Sequence, residues 1–197
     1  VSTVSPNYAA ELRHDFFAFG LAKIISSVSD KMTGIINGID YSAFSPSEGS
    51  DIYKSFNKRT VKSGKRANKL MLQEELGLEV SEDIPLITMV TRLTDQKGLD
   101  LVLFIIKELL AQRVQVALLG TGDEKYEEAF EAISNEYGNF KALIKFDRAL
   151  SKKLYASADI FLMPSKSEPC GLAQMIACAY GTIPVVRAVG GLYDSIK

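Results

Sequence analysis

The sequence predicts an α/β protein: a Rossmann-like, doubly wound parallel sheet with helices on both faces. From Pro85 onward, short apolar runs alternate with longer segments in which apolar residues recur at three- and four-residue steps. The runs carry apolar residues on both faces, which is typical of buried strands that are joined by helical crossovers. In such sheets, ligands bind beyond the carboxyl ends of the strands, where loops and helix N-termini converge.

The apolar runs give the predicted strands. In chain order they are Leu86–Thr91, Val114–Leu119, Leu143–Phe146, Asp159–Met163 and Ile183–Arg187. Helical spacing is clearest between the first two runs, and Leu154 with Ala158 repeats it more weakly. The apolar positions of that first helix are Leu99, Val102, Ile106, Leu109 and Leu110.

The pattern is different before Pro85. Residues Arg59–Gly77 are predicted to form one amphipathic helix that ends at Gly77, whereas Asn37–Asp51 is rich in Gly, Ser, Pro and Asp and is predicted to be a loop or linker. Val1–Val4 is a predicted strand with no earlier strand to pair with, and Gly190–Leu192 opens a helix close to the last residue. We therefore expect both ends to be the ends of a fragment.

Composition limits the classes of function. The chain has 197 residues, of which 47% are hydrophobic, and a formal net charge of −1, so no global field recruits nucleic acid or an anionic membrane. The two cysteines, Cys170 and Cys178, form neither a metal-binding pattern nor a disulfide framework. No run reaches the roughly 18 apolar residues of a membrane span. We expect a globular protein of the cytoplasm.

Two cations follow the first predicted strand. Arg92 comes directly after Leu86–Thr91, and Lys97 lies in the same short loop. The planar fork of an arginine and the compact charge of a lysine suit a diphosphate at the carboxyl end of a strand. Two solvated loop residues are the alternative, and the spacing alone does not decide between them.

A glycine-rich turn, Gly120-Thr121-Gly122, follows the second predicted strand. Glycines there let the backbone approach a nucleotide closely, and exposed N–H groups donate hydrogen bonds to anionic oxygen. The alternative is an ordinary tight turn that ends in Asp123 as a helix N-cap.

The segment Pro164–Leu172 follows the fourth predicted strand and precedes a helix. It places the carboxylate of Glu168 just before a helix N-terminus, where it can accept hydrogen bonds from sugar hydroxyl groups while the free backbone N–H groups bind phosphate or sugar oxygen. The alternative is an acidic residue that the helix dipole favours at that position.

Taken together, these segments resemble the motifs of bacterial glycogen synthases and plant starch synthases, in order and in spacing. The earlier segments Val4–Ala9 and Ile36–Asp40 resemble the inter-domain region of that family, so the resemblance covers essentially the whole chain. The segments that carry it are Thr91–Gly98, Leu118–Asp123, Pro164–Leu172 and Val189–Leu192.

The resemblance implies a retaining glucosyltransferase built from two Rossmann-like domains. Its donor is ADP-glucose, or UDP-glucose in some relatives, and its acceptor is the non-reducing end of an α-1,4-glucan. It assigns residues 1–40 to the end of the amino-terminal domain and the linker, and residues 41–197 to the nucleotide-sugar-binding domain, incomplete at its carboxyl end. The amino-terminal domain would bind the glucan acceptor, so we expect the isolated chain to be inactive.

The resemblance also implies roles for individual residues. Arg92 and Lys97 would hold the donor diphosphate and neutralise the departing ADP, which leaves no need for a metal ion. Glu168 would contact the transferred glucose. Phe146 falls where relatives carry an aromatic residue that stacks on adenine, the alternative being an ordinary core aromatic at a strand end. Asn37 is the linker asparagine that would reach the cleft. The backbone N–H groups that would face the phosphate or the sugar belong to Cys170, Gly171 and Leu172.

The sequence departs from the wider superfamily at Ile176, where many retaining enzymes carry a second glutamate. Synthases of this group commonly lack that acid too. Two other interpretations stay open. The chain could be the donor domain of a sucrose or trehalose-phosphate synthase relative, although the residues Glu168–Gly171 are more typical of the glycogen and starch synthase group. It could also be a nucleotide-binding module without catalysis.

Overall fold

A parallel five-stranded sheet lies at the centre of the protein. The computed structural model describes residues 1–47, 49 and 51–197. The strands of the central sheet are β3 (Leu86–Val90), β4 (Gln115–Leu119), β5 (Phe140–Leu143), β6 (Ile160–Met163) and β7 (Ile183–Val186). They lie in the spatial order β5-β4-β3-β6-β7, and every neighbouring pair is parallel. The predicted Rossmann-like, doubly wound sheet is confirmed.

Helices cover both faces of this sheet. They are α4 (Val61–Glu75), α5 (Leu99–Leu110), α6 (Glu124–Glu136), α7 (Arg148–Ser157), α8 (Ala173–Ala179) and α9 (Gly190–Ser195). The alternation of side chains along a strand divides the core. In β3, Ile87 and Met89 pack against α5 and α6, while Leu86 and Val90 pack on the opposite side, against α4 and α7.

The predicted strand boundaries hold to within one residue, except at the third strand. The prediction Leu143–Phe146 is wrong, because the observed strand β5 runs from Phe140 to Leu143. Phe140 is completely buried and anchors the strand in the core. The ladder ends where the backbone N–H of Gly120 donates to the carbonyl of Leu143, 3.2 Å away. Phe146 is 91% exposed, so it is not a core aromatic either.

Helix α4 begins and ends within two residues of the predicted limits Arg59–Gly77. Gly77 adopts a left-handed backbone conformation with φ of 63°. The N–H of Leu78 donates to the carbonyl of Gln73 and that of Gly77 to Glu74, which is the hydrogen-bond pattern of a Schellman motif. The predicted loop Asn37–Asp51 contains no helix or strand among its described residues, while Glu48 and Ser50 of that prediction lie outside them.

The amino-terminal segment is built differently from the βα units. Strand β1 (Ser2–Thr3) is shorter than the predicted Val1–Val4, and its parallel partner is β2 (Thr33–Gly34), which comes later in the chain. No earlier strand pairs with it, as expected, and the later partner leaves no periodic signal in the sequence because it is only two residues long. Three short helices and a 3₁₀ turn lie between the two strands: α1 (Pro6–Glu11), α2 (Asp15–Ala18), α3 (Ala22–Ser27) and Ser29–Lys31.

Helix α1 docks on α9 at the other end of the chain. The Asp194 carboxylate accepts hydrogen bonds from the Ser5 hydroxyl at 2.6 Å and from the Asn7 backbone N–H at 2.8 Å. The Glu11 carboxylate accepts one from the backbone N–H of Gly190 at 2.8 Å. Acidic side chains thus join two segments that are nearly 190 positions apart.

Among the described residues, none of the helices combines the length and the apolar character that a membrane crossing requires.

Candidate active site

The candidate site lies where the strand order of the sheet reverses, between β3 and β6. Strands β3 and β6 are neighbours in the sheet although β4 and β5 come between them in the chain. The loops after them, residues 91–98 and 164–172, therefore face each other at a topological switch point, where this type of sheet binds ligands. Hydrogen bonds of Gln96 join the loops: the backbone N–H of Lys166 donates to the carbonyl of Gln96 at 2.8 Å, and the Gln96 side chain donates to the carbonyl of Ser167 at 3.0 Å.

Gly98 allows the two loops to approach closely. Its φ of 70° lies in the left-handed region, and a Cβ atom there would be 2.1 Å from the carbonyl oxygen of Pro164. No other residue type fits both the backbone conformation and the contact without displacing Pro164.

An ion pair bridges the crevice. The Lys97 ammonium lies 2.6 Å from the Glu168 carboxylate, and only 12% and 10% of their side chains are exposed. The buried Ser165 hydroxyl donates to the same carboxylate oxygen at 3.1 Å, and the Glu168 carbonyl accepts from the backbone N–H of Gly191 at 2.9 Å. The structure thus brings Lys97 and Glu168 together with fixed orientations.

A cleft of about 470 Å³ opens beyond the carboxyl ends of β3 and β4, and its lining includes neither Lys97 nor Glu168. Arg92 and the exposed Phe146 both line it. Arg92 is exposed and has no ion-pair partner among the residues that the structure describes. The volume lies within the range of small-molecule sites. Other lining residues are Gly120, Thr121, Arg148, Tyr155 and Ile176.

The glycine-rich turn supports the Arg92 loop. A Cβ atom on Gly120 would lie 1.8 Å from the carbonyl oxygen of Thr91. The expectation of exposed glycine N–H groups is wrong for both glycines: Gly120 donates to the Leu143 carbonyl at 3.2 Å, and Gly122 to the Glu127 carboxylate at 2.7 Å. Thr121 is exposed at the cleft. The glycines therefore serve close packing of two loops, which leaves fewer amides for a ligand.

The remaining predicted residues lie in two places. Cys170 is buried, Gly171 adopts φ of 73° and Leu172 is 45% exposed, just before α8. None of their three amides donates to an acceptor within the described part of the chain. Asn37 is exposed and does not line the cleft. Ile176 does line it, and is buried.

Some supporting residues were missed by the sequence analysis. Asp95, two residues before Lys97, accepts hydrogen bonds from the Tyr126 hydroxyl and from the Lys125 ammonium at 2.9 Å. These hydrogen bonds lower the pKa of the Asp95 carboxyl, and the bond from Tyr126 has the largest effect. Together with Gln96, Asp95 fixes the loop that carries the two cations. The sequence gives no local sign that Lys125 contacts Asp95 or that Gln96 contacts Ser167, because each pair is at least 30 positions apart.

Comparison with known proteins finds a glycosyl transferase family and glycogen synthases. The model of the family described as "Glycosyl transferases group 1" matches residues 75–197. Glycogen synthases of Clostridium perfringens and Streptococcus uberis are 48% and 47% identical to this chain over its full length. The chain spans 41% of the length of each of these curated relatives.

Two solved structures share the fold. The catalytic domain of starch synthase IV from Arabidopsis thaliana, solved bound to ADP and acarbose, has a TM-score of 0.93 and 40% identity, covering 100% of this chain and 41% of that one. A sucrose-phosphate synthase from Thermosynechococcus elongatus has a TM-score of 0.63 and 21% identity, covering 100% of this chain and 42% of that one, and shows the similarity of fold alone.

Proposed function

The chain belongs to the group 1 family of glycosyl transferases, and from that premise we propose that it carries the donor site of a retaining α-1,4-glucan synthase. This hexosyltransferase moves glucose from ADP-glucose to the non-reducing end of glycogen or starch. The observation that carries the proposal is the Lys97–Glu168 pair, 2.6 Å apart at the switch point, because Lys97 lies in the same loop as Arg92, which lines the cleft.

In this proposal the nucleotide lies in the 470 Å³ cleft. The face of Phe146 is open to solvent, so it can stack on adenine. Arg92 offers its whole guanidinium fork to the diphosphate. Among the described residues, the Lys97 ammonium donates a hydrogen bond only to the Glu168 carboxylate. Because an ammonium has three N–H groups, it can also donate to a phosphate oxygen. The similarity to a starch synthase that binds ADP supports this placement.

The chemistry follows from where the charges lie. When the bond between the anomeric carbon and the phosphate oxygen breaks, its electron pair leaves with ADP, and Arg92 and Lys97 stabilise that negative charge. The 4-hydroxyl oxygen of the acceptor forms the new bond to the anomeric carbon, and its proton passes to the departing phosphate. Glu168 accepts hydrogen bonds from the glucose hydroxyl groups and stabilises the positive character that develops on the sugar. Because these cations supply the positive charge, the proposal includes no divalent metal ion. We propose further that the enzyme acts in the cytoplasm, or in a plastid if the source is a plant.

Calorimetric titration with ADP, ADP-glucose and UDP tests the proposal. We expect ADP to bind in the micromolar range, and Arg92→Ala and Lys97→Ala each to weaken it on the order of tenfold or more, since each removes a charged hydrogen bond. Lys107→Ala is the matched control, because Lys107 is an exposed lysine paired with Glu136 on α5 and α6, outside the cleft.

The titration also separates the alternatives. A clear preference for UDP would favour a sucrose or trehalose-phosphate synthase relative over a glucan synthase. No nucleotide binding by the folded chain would contradict a donor site altogether. Equal weakening by Lys107→Ala would show that Arg92 and Lys97 act only through net charge.

A further inference from the structure

A second cleft, of about 600 Å³, lies at the opposite end of the sheet. Two of its residues, Glu82 and Asp159, come just before β3 and β6, whereas the donor cleft lies beyond the carboxyl ends of the strands. These strands are five and four residues long and separate the two clefts by roughly 15 Å. This second cleft is therefore independent of the proposed donor site.

The lining of this cleft is strongly basic. Its carboxylates are Glu82 and Asp159, and its basic side chains outnumber them by three. The basic residues are Arg59, Lys62, Lys65, Arg66 and Lys69. Since the whole chain has a formal charge of −1, this excess is a local feature and not a consequence of overall composition.

The acidic residues of the cleft are already paired. Lys69 contacts Asp159 at 2.7 Å, and Arg66 pairs with Glu82. Neither carboxylate is therefore left to neutralise the other basic side chains of the cleft.

Lys65 is also engaged within the protein. Its ammonium donates to the Thr182 hydroxyl at 2.7 Å and to the backbone carbonyls of Ala156 and Tyr180 at 3.2 and 3.3 Å, near the ends of α7 and α8. This places a cation at the negative ends of two helices, where it is favoured.

Arg59 and Lys62 remain. Both side chains are exposed and line the cleft, and within residues 1–47, 49 and 51–197 neither has an ion-pair partner. They flank the start of α4, whose first turn contains no acidic residue. Cations are unfavourable at the positive end of a helix dipole. A bound anion would be attracted both by the two side chains and by the helix end.

We propose that this cleft binds a small anion that carries phosphate groups, held by Arg59 and Lys62 at its mouth with Arg66 beside them. The arginine fork matches two phosphate oxygens and the lysine adds a compact charge. The volume of about 600 Å³ lies within the range of small-molecule sites. The ion pairs of Lys69 and Arg66 keep the walls of the cleft in place.

Nuclear magnetic resonance with a ¹⁵N-labelled chain tests the proposal, because it separates this cleft from the donor cleft. The probes are inorganic pyrophosphate and ribose 5-phosphate, titrated into Arg92→Ala/Lys97→Ala so that the donor cleft is weakened. We expect amide shifts around residues 59–69, and a loss of affinity on the order of tenfold or more when Arg59→Ala/Lys62→Ala is added. Stronger binding of one probe identifies free phosphate or a phosphate ester as the ligand class.

Lys54→Ala/Lys58→Ala is the matched control, since it removes the same charge from a neighbouring segment outside the cleft lining. Equal weakening by this control, shifts confined to residues 91–98, or no shift at millimolar probe would overturn the proposal. ADP titration of Arg59→Ala/Lys62→Ala in the otherwise unchanged chain keeps the two sites apart: nucleotide binding persists there if the donor site stands, whatever the outcome for the second cleft.

Discussion

The close approach at Gly98 gives a prediction whose size can be worked out from the structure. Gly98→Ala adds a Cβ atom 2.1 Å from the Pro164 carbonyl oxygen, at a φ of 70°. The left-handed conformation costs a residue other than glycine about 1–2 kcal/mol, and forcing a methyl group into packed atoms costs about 1–3 kcal/mol more. The free energy of unfolding should therefore fall by about 2–5 kcal/mol.

Gly77→Ala separates the two contributions. Gly77 has nearly the same φ, 63°, but a Cβ atom there meets nothing within 4 Å. It should lose only the conformational part, about 1–2 kcal/mol, and the entropy that alanine removes from the unfolded chain is common to both variants. Urea unfolding measures the difference between them.

Binding supplies the second readout. In Gly98→Ala the loops that carry Lys97 and Glu168 must move apart, so ADP should bind more weakly, while Gly77→Ala should bind it like the unchanged chain. If the two variants unfold at the same urea concentration and bind ADP equally well, the argument from loop packing is refuted.

Three further predictions concern charge and activity. Burial lowers the pKa of Lys65 from 10.5 to about 8. Between these values the unfolded chain binds more protons than the folded chain, so the free energy of unfolding should rise by about 2 kcal/mol from pH 8 to pH 10. Lys65→Met should lose that rise in urea unfolding, and a pH dependence equal to that of the unchanged chain would contradict the prediction. Glu168→Gln leaves the charge of Lys97 uncompensated and should lower the free energy of unfolding by about 2 kcal/mol. Glu136→Gln, which breaks an exposed pair, should lower it by under about 1 kcal/mol. Equal losses in urea unfolding would show that burial does not strengthen the Lys97–Glu168 pair. The isolated chain should not incorporate glucose from ADP-glucose into glycogen, and measurable turnover would disprove this.

The fold was predictable wherever the signal is local. Helix α4 ends where a glycine can take a left-handed conformation, and the first two strands of the central sheet are mostly apolar. The third strand was misplaced because Ile144 and Phe146 extend the apolar run beyond Leu143, while its true anchor, Phe140, lies before it. The pairing of β1 with β2 joins residues about 30 positions apart, and such long-range contacts leave no periodicity in the sequence.

The site was predictable as a set of residues but not as a geometry. Arg92, Lys97 and Glu168 each follow a strand that was predicted correctly, and the topology of a parallel sheet brings such loops to one edge. The sequence does not indicate that Lys97 contacts Glu168 directly, or that the amides of Gly120 and Gly122 are used inside the protein. Those features depend on distances between loops, which only packing determines.

The amino-terminal segment takes part in the support of the site. Glu11 accepts a hydrogen bond from the backbone of Gly190, and the next residue, Gly191, donates to the carbonyl of Glu168. A Cβ atom on Gly190 would lie 2.1 Å from that same carbonyl oxygen, so this turn cannot shift without moving the Glu168 loop. Because α1 is fixed to α9 by Asp194 as well, the position of the Glu168 carboxylate depends on contacts that begin with the first residues of the chain.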